Sequence, residues 1–110
     1  MLQFSSPDEI EAKFQGFFPN DKKPSSQFLS KRLKAGNGDF ICVTAFPYRG
    51  PALFWIYCYE QTKAGKWELR LMIPVFGKPF DVEYETDGEA IKITNAGVVI
   101  GRITHLLDVP

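Results

Sequence analysis

The residues best equipped for chemistry in this chain are two cysteines, one histidine and an acidic run, and the spacing of each set restricts what it can do. Cys42 and Cys58 flank the segment Pro47-Tyr48-Arg49-Gly50-Pro51. A hairpin turning on Arg49-Gly50-Pro51 would set the two thiols opposite each other, a register that allows a cross-strand disulfide. A register shifted by two residues removes that option, and the simpler alternative is two buried free thiols serving as small apolar side chains. Neither cysteine has a cation or a histidine beside it in sequence, so neither reads as an activated nucleophile. His105 is the single histidine. Any Ser–His or Cys–His machinery would have to use it, and it stands with Asp108 near the C-terminus, where chains fray. One histidine and two cysteines cannot close a zinc site without carboxylates, and the spacing offers none. No catalytic residue, metal or cofactor is expected.

Charge is arranged in two blocks. Asp81, Glu83 and Glu85 would share one face of a strand, followed by Asp87 and Glu89. That face could meet a cation or a basic partner, but calcium-loop spacing is absent and a solvated face guarding against edge association is the simpler reading. Lys22, Lys23, Lys31, Arg32 and Lys34 form the basic counterpart. Beside them, Gly38–Phe46 is faintly similar to an RNA-recognition strand. The basic residue and second glycine of that pattern are missing, and the order of helix and strand is wrong. No nucleic-acid partner is expected.

Aromatic content is the third lead: ten Phe, four Tyr and two Trp make 15% of the chain. In Phe40–Phe46 and Ala52–Tyr59 both alternating faces are apolar, so both need cover. One side can take N-terminal helices. The other needs sheet folded back over it, a ligand or a second chain. Tyr48, Arg49, Trp55, Tyr57 and Tyr59 are therefore the expected contact residues, since Trp, Tyr and Arg dominate interface hot spots.

The elements that would position these groups follow from local signals. Ser6-Pro7-Asp8-Glu9 is a helix start, with Ser6 as cap, Pro7 at the first position and Glu9 closing a capping box. Ile10 and Phe14 lie on one face, and Gly16 ends the helix. A second helix is expected over Ser26–Ala35, with Leu29 and Leu33 as its stripe and Gly36-Asn37-Gly38 as its stop. From Asp39 the period becomes two. Six strands are predicted at Phe40–Phe46, Ala52–Gln61, Lys66–Ile73, Phe80–Thr86, Glu89–Thr94 and Val98–Leu106. Trp67, Leu69, Leu71 and Ile73 should share one dry face with Phe80, Val82 and Tyr84 from the next strand. A two-residue turn at Asp87-Gly88 would pair Tyr84 with Ile91, and a charged row Arg70–Glu83–Lys92 would cross three strands.

These elements predict an α+β fold: one or two N-terminal helices packed on a curved five- or six-stranded antiparallel meander. In layout alone it resembles the cystatin type of helix on curved sheet, an architecture that hosts many functions. The 110 residues suit a single domain, residues 1–38 helical and 39–110 sheet. Thirteen basic and thirteen acidic residues cancel, so no global field draws the chain to nucleic acid or an anionic surface. No run approaches the ~18 apolar residues of a membrane span. Met1–Ser6 lacks the basic and apolar regions of a secretory leader, so a cytoplasmic location is the default, although a leader removed upstream would leave the same sequence.

The expected function is a non-enzymatic binding module that meets a protein partner, or a second copy of itself, through the aromatic sheet face or the 47–51 loop. The alternative is a small-ligand or enzymatic pocket between helix and curled sheet, lined by the same aromatics.

Overall fold

A computed structural model describes residues 3–16, 26–47 and 53–104. It is a small α+β fold with one helix and eight antiparallel strands in two sheets. The elements are β1 (Gln3–Phe4), α1 (Pro7–Gly16), β2 (Ser26–Ala35), β3 (Gly38–Pro47), β4 (Leu53–Gln61), β5 (Trp67–Phe76), a 3-10 turn (Pro79–Asp81), β6 (Val82–Asp87), β7 (Ala90–Asn95) and β8 (Val98–Thr104).

The helix starts as its sequence dictates. Ser6 Oγ accepts from the Glu9 backbone N–H at 3.3 Å, and the Glu9 carboxylate accepts from the Ser5 N–H at 2.9 Å. Ile10 and Phe14 are fully buried.

The expected second helix is a strand. Ser26–Ala35 pairs with β3 along its whole length, from Ser26 opposite Pro47 to Ala35 opposite Gly38. Leu29 and Leu33 are four apart, a spacing that fits one helix face and equally one strand face, because four is a multiple of two. What decides is β3, whose outer backbone groups need a partner, and Gly36-Asn37, which is a two-residue hairpin turn and not a helix stop.

The six predicted strands are present, but they do not form a single meander. The larger sheet has the order β1-β5-β4-β3-β2, and β6-β7-β8 form a second sheet. The resemblance to a helix on one curved sheet therefore ends at β5. Gly77 (φ 141°) and Pro79 carry the chain out of the larger sheet, so Phe80 falls in the 3-10 turn, exposed, and not on a dry face.

The two sheets enclose the main core. Phe40, Cys42, Phe54, Ile56 and Cys58 from the larger sheet pack against Tyr84, Ile91, Ile93 and Ile103 from the smaller. On the opposite face of the larger sheet, α1 and β1 bring Phe4, Ile10 and Phe14 onto Ile41, Val43, Tyr59 and Trp67. The doubly apolar strands are thus covered on one side by the small sheet and, over part of the other, by α1 and β1, giving three layers.

One irregularity lets β5 serve both cores. Cys58 pairs with Leu71 while Tyr59 pairs with Leu69, so Arg70 is an extra residue bulged out of the ladder. Trp67 and Leu69 face the helix, whereas Leu71, Ile73 and Val75 face the small sheet. The single dry face expected for Trp67 to Ile73 is split between two. Arg70 turns inward to the fully buried Glu60 and also donates to the Thr104 carbonyl at 3.1 Å, joining β4, β5 and β8.

The charged row Arg70–Glu83–Lys92 is consequently absent. The β6–β7 hairpin turns on Gly88-Glu89, with Asp87 opposite Ala90, so Tyr84 pairs with Ile93 and not with Ile91. Gly88 supplies the positive φ (65°) at the first loop position that glycine-first hairpin turns require. Lys92 then meets Glu85 at 3.8 Å, and Asp87 meets Arg102 at 2.7 Å.

Pro74 fixes the phase of the hydrogen bonding across the larger sheet. It lacks an N–H, so its pair with Trp55 must be of the non-hydrogen-bonded kind, with its nitrogen toward the outer edge of β5. Alternation makes Ile56–Ile73 a hydrogen-bonded pair. On the other side of β4 it makes Thr44–Ile56 and Cys42–Cys58 non-hydrogen-bonded pairs.

Candidate interaction site

The helix covers only part of its face of the larger sheet. Beyond Tyr57, three directly opposed pairs continue on that face: Tyr57 with Met72, Trp55 with Pro74, and Leu53 with Phe76. Opposed residues of an antiparallel pair point the same way. Leu53, Trp55 and Tyr57 are half-buried, while Met72, Pro74 and Phe76 are exposed, Phe76 at 77%. None of the six carries a charge. Tyr57 marks the border, its ring 4.9 Å from Phe14 of the helix and 6.5 Å from Trp55 on the open side. Burial pushes its phenol pKa up.

Of the expected contact residues, Trp55 and Tyr57 are brought together here. Tyr59 shares their face but is fully buried under Phe4, ring centroids 5.7 Å apart, and belongs to the second core. Tyr48 and Arg49 lie outside the described residues, as do His105, Asp108, Lys22 and Lys23. Pro74 and Phe76 escape the sequence reading because the strand is expected to stop at Ile73, and Met72 because it alternates with Glu68 and Arg70 on the face read as wet. Had the strand been run through Pro74, the alternation Met72, Pro74, Phe76 would have exposed them.

The basic cluster does not form one patch. Strand alternation sends Arg32 and Lys34 to the helix side, and Lys31 to the other, where its ammonium donates to the Tyr84 carbonyl at 3.2 Å. Arg32, Lys34 and Asp39 border an open cleft of about 600 Å³ at the end of the sheet, with Ser5, Gln61 and Trp67. Lys34 and Asp39 pair there at 3.8 Å. Among the described residues, no three His, Cys, Asp or Glu side chains are grouped to hold a metal. Nor is any described helix long and apolar enough to cross a membrane.

Two buried tyrosines behave oppositely. Tyr84 shares a buried hydrogen bond with Thr44 across the two sheets; burial raises its pKa, and the Thr44 contact partly offsets the rise. Tyr59 has no hydrogen-bond partner for its hydroxyl among the described residues, and burial pushes its pKa up to about 12. Tyr84→Phe is expected to cost ~1–2 kcal/mol, because the Thr44 hydroxyl stays buried without its partner. Tyr59→Phe should be neutral or stabilising by up to ~1 kcal/mol, since it removes a polar group that earns nothing. Urea denaturation of the two variants checks the contrast, and equal losses would contradict it.

No protein-family model, curated protein or solved structure matches the chain.

Proposed function

We propose that this chain is a non-enzymatic binding module that receives another polypeptide, either a partner protein or a second copy, on the face formed by Leu53, Trp55, Tyr57, Met72, Pro74 and Phe76. The observation that supports the reading is the continuity of this uncharged surface, two aromatic–aliphatic rows side by side on a rigid pair of strands. Contiguous exposed apolar surface of this kind marks interaction sites, and aromatic residues with a flexible methionine suit them. A small-ligand pocket between helix and sheet is less well supported. The cleft there is open, two of its charges neutralise each other, and its aromatic residues, Phe40 and Trp67, are committed to the cores.

Light scattering over a concentration series tests the second-copy version. Mass should rise with concentration for the parent chain. In Trp55→Ser/Phe76→Ser association should weaken on the order of 30-fold or more, as loss of a hot spot does, with an unchanged circular dichroism spectrum. A monomer at every concentration would exclude the second-copy version. Undiminished association of the double variant would refute this face as the contact.

A further inference from the structure

We infer that Cys42 and Cys58 are a built redox pair, closing to a cross-strand disulfide that staples β3 to β4 when the chain folds under oxidising conditions. The inference is independent of the proposed docking face. Three observations carry it. The two residues are direct register partners, in a stretch of ladder that runs from Phe40–Glu60 to Ala45–Trp55 without a break. The hydrogen-bond phase set by Pro74 makes them a non-hydrogen-bonded pair, the class whose Cα atoms stand closest, at about 4.5 Å. That separation is within the roughly 4.4–6.8 Å a disulfide spans. Finally, both side chains point into the same core, where both are fully buried, and their thiols are free in this structure.

The surroundings determine when the bond can form. Both cysteines are fully buried beneath the small sheet, and the contact with Cys42 together with burial holds the Cys58 thiol well above its ordinary pKa. The Cys58 thiolate is therefore scarce in the folded state, and burial leaves a soluble oxidant no path to either sulfur. The pair is open to exchange before β6–β8 close over it, and sheltered afterwards. The oxidant is a small-molecule disulfide such as oxidised glutathione. One cysteine thiolate attacks it, forming a mixed disulfide and releasing one glutathione thiolate. The second cysteine, as thiolate, then attacks the mixed disulfide and releases the other. Two protein thiols lose two electrons and two protons, and one glutathione disulfide becomes two glutathione thiols.

Unfolded, reduced chain would be refolded with oxidised and reduced glutathione, and a parallel sample folded under reductant before the same mixture is added. Alkylation and mass spectrometry should find the refolded chain about two mass units lighter, unalkylated, with Cys42 and Cys58 peptides linked. The prefolded sample should keep both thiols at least ~10-fold longer. The staple closes a loop of about fifteen residues, so the oxidised form should melt roughly 10 °C or more above the reduced one, and Cys42→Ala should abolish that difference. Free thiols or glutathione adducts alone after oxidative refolding would overturn the proposal. Should Cys42→Ala fold poorly, the parent's melting temperature with and without reductant gives the same reading.

Discussion

Arg70→Ala is expected to destabilise the fold by ~3–5 kcal/mol, because it takes a guanidinium away from the fully buried Glu60 carboxylate. Glu60 is fully buried and the Arg70 side chain is 17% exposed, so water cannot readily replace the guanidinium. The same substitution removes the donor to the Thr104 carbonyl, which ties the end of β8 to the larger sheet. Urea denaturation gives the energy, and hydrogen exchange at the C-terminal end of β8 should quicken more than at β3. The ion pair itself is not expected to be a large net stabiliser, since desolvating both charges consumes most of their attraction. Glu60→Leu/Arg70→Leu should therefore recover a substantial part of the loss. A single variant within ~1 kcal/mol of the parent would show that the carboxylate does not depend on Arg70.

Phe14→Ala has an effect of similar size, ~3–5 kcal/mol, through a different mechanism. Phe14 is 1% exposed and is, with Ile10, the means by which α1 is held on the sheet. A ten-residue helix is marginal in water without such packing, so truncation should loosen the whole element and not merely leave a cavity. Tyr57, Tyr59 and Trp67 would then join the exposed apolar surface. The expected observations are a lower urea midpoint, a red-shifted tryptophan emission and stronger dye binding. An unchanged emission spectrum would mean that the helix stays docked on Ile10 alone.

The fold was legible in the sequence where local chemistry and hydrophobic period agreed. Ser6, Pro7 and Glu9 placed the helix start to the residue, and the change to a period of two from Asp39 placed the later strands. Legibility failed where a signal is degenerate. Leu29 and Leu33 satisfy both periods, and only the hydrogen-bond demand of β3, a tertiary fact, makes that segment a strand. The bulge at Arg70 was hidden for a related reason: Trp67, Leu69, Leu71 and Ile73 alternate without interruption, and the extra residue shows only once Tyr59 and Cys58 are seen pairing across it. Of the candidate site, Trp55 and Tyr57 were readable from a strand apolar on both faces. Tyr59, with the same alternation, was not distinguishable from them, because the extent of helix cover is set by α1 and β1. The sequence left the register of Cys42 and Cys58 open by two residues, and the β3–β4 ladder makes them direct partners.

The missing N–H of Pro74 limits how another strand could pair with the outer edge of β5. Strand addition at an open edge is repetitive, since each copy added offers the same edge again, and it ends in filaments. On the outer edge of β5 that route is interrupted twice, by the bulge at Arg70 and by Pro74, leaving only Leu71–Ile73 between them. Face-to-face docking about a two-fold axis has no such propagation, and closes once two copies have met. The same strand thus presents apolar side chains while Arg70 and Pro74 interrupt the backbone ladder that strand addition along its outer edge would need.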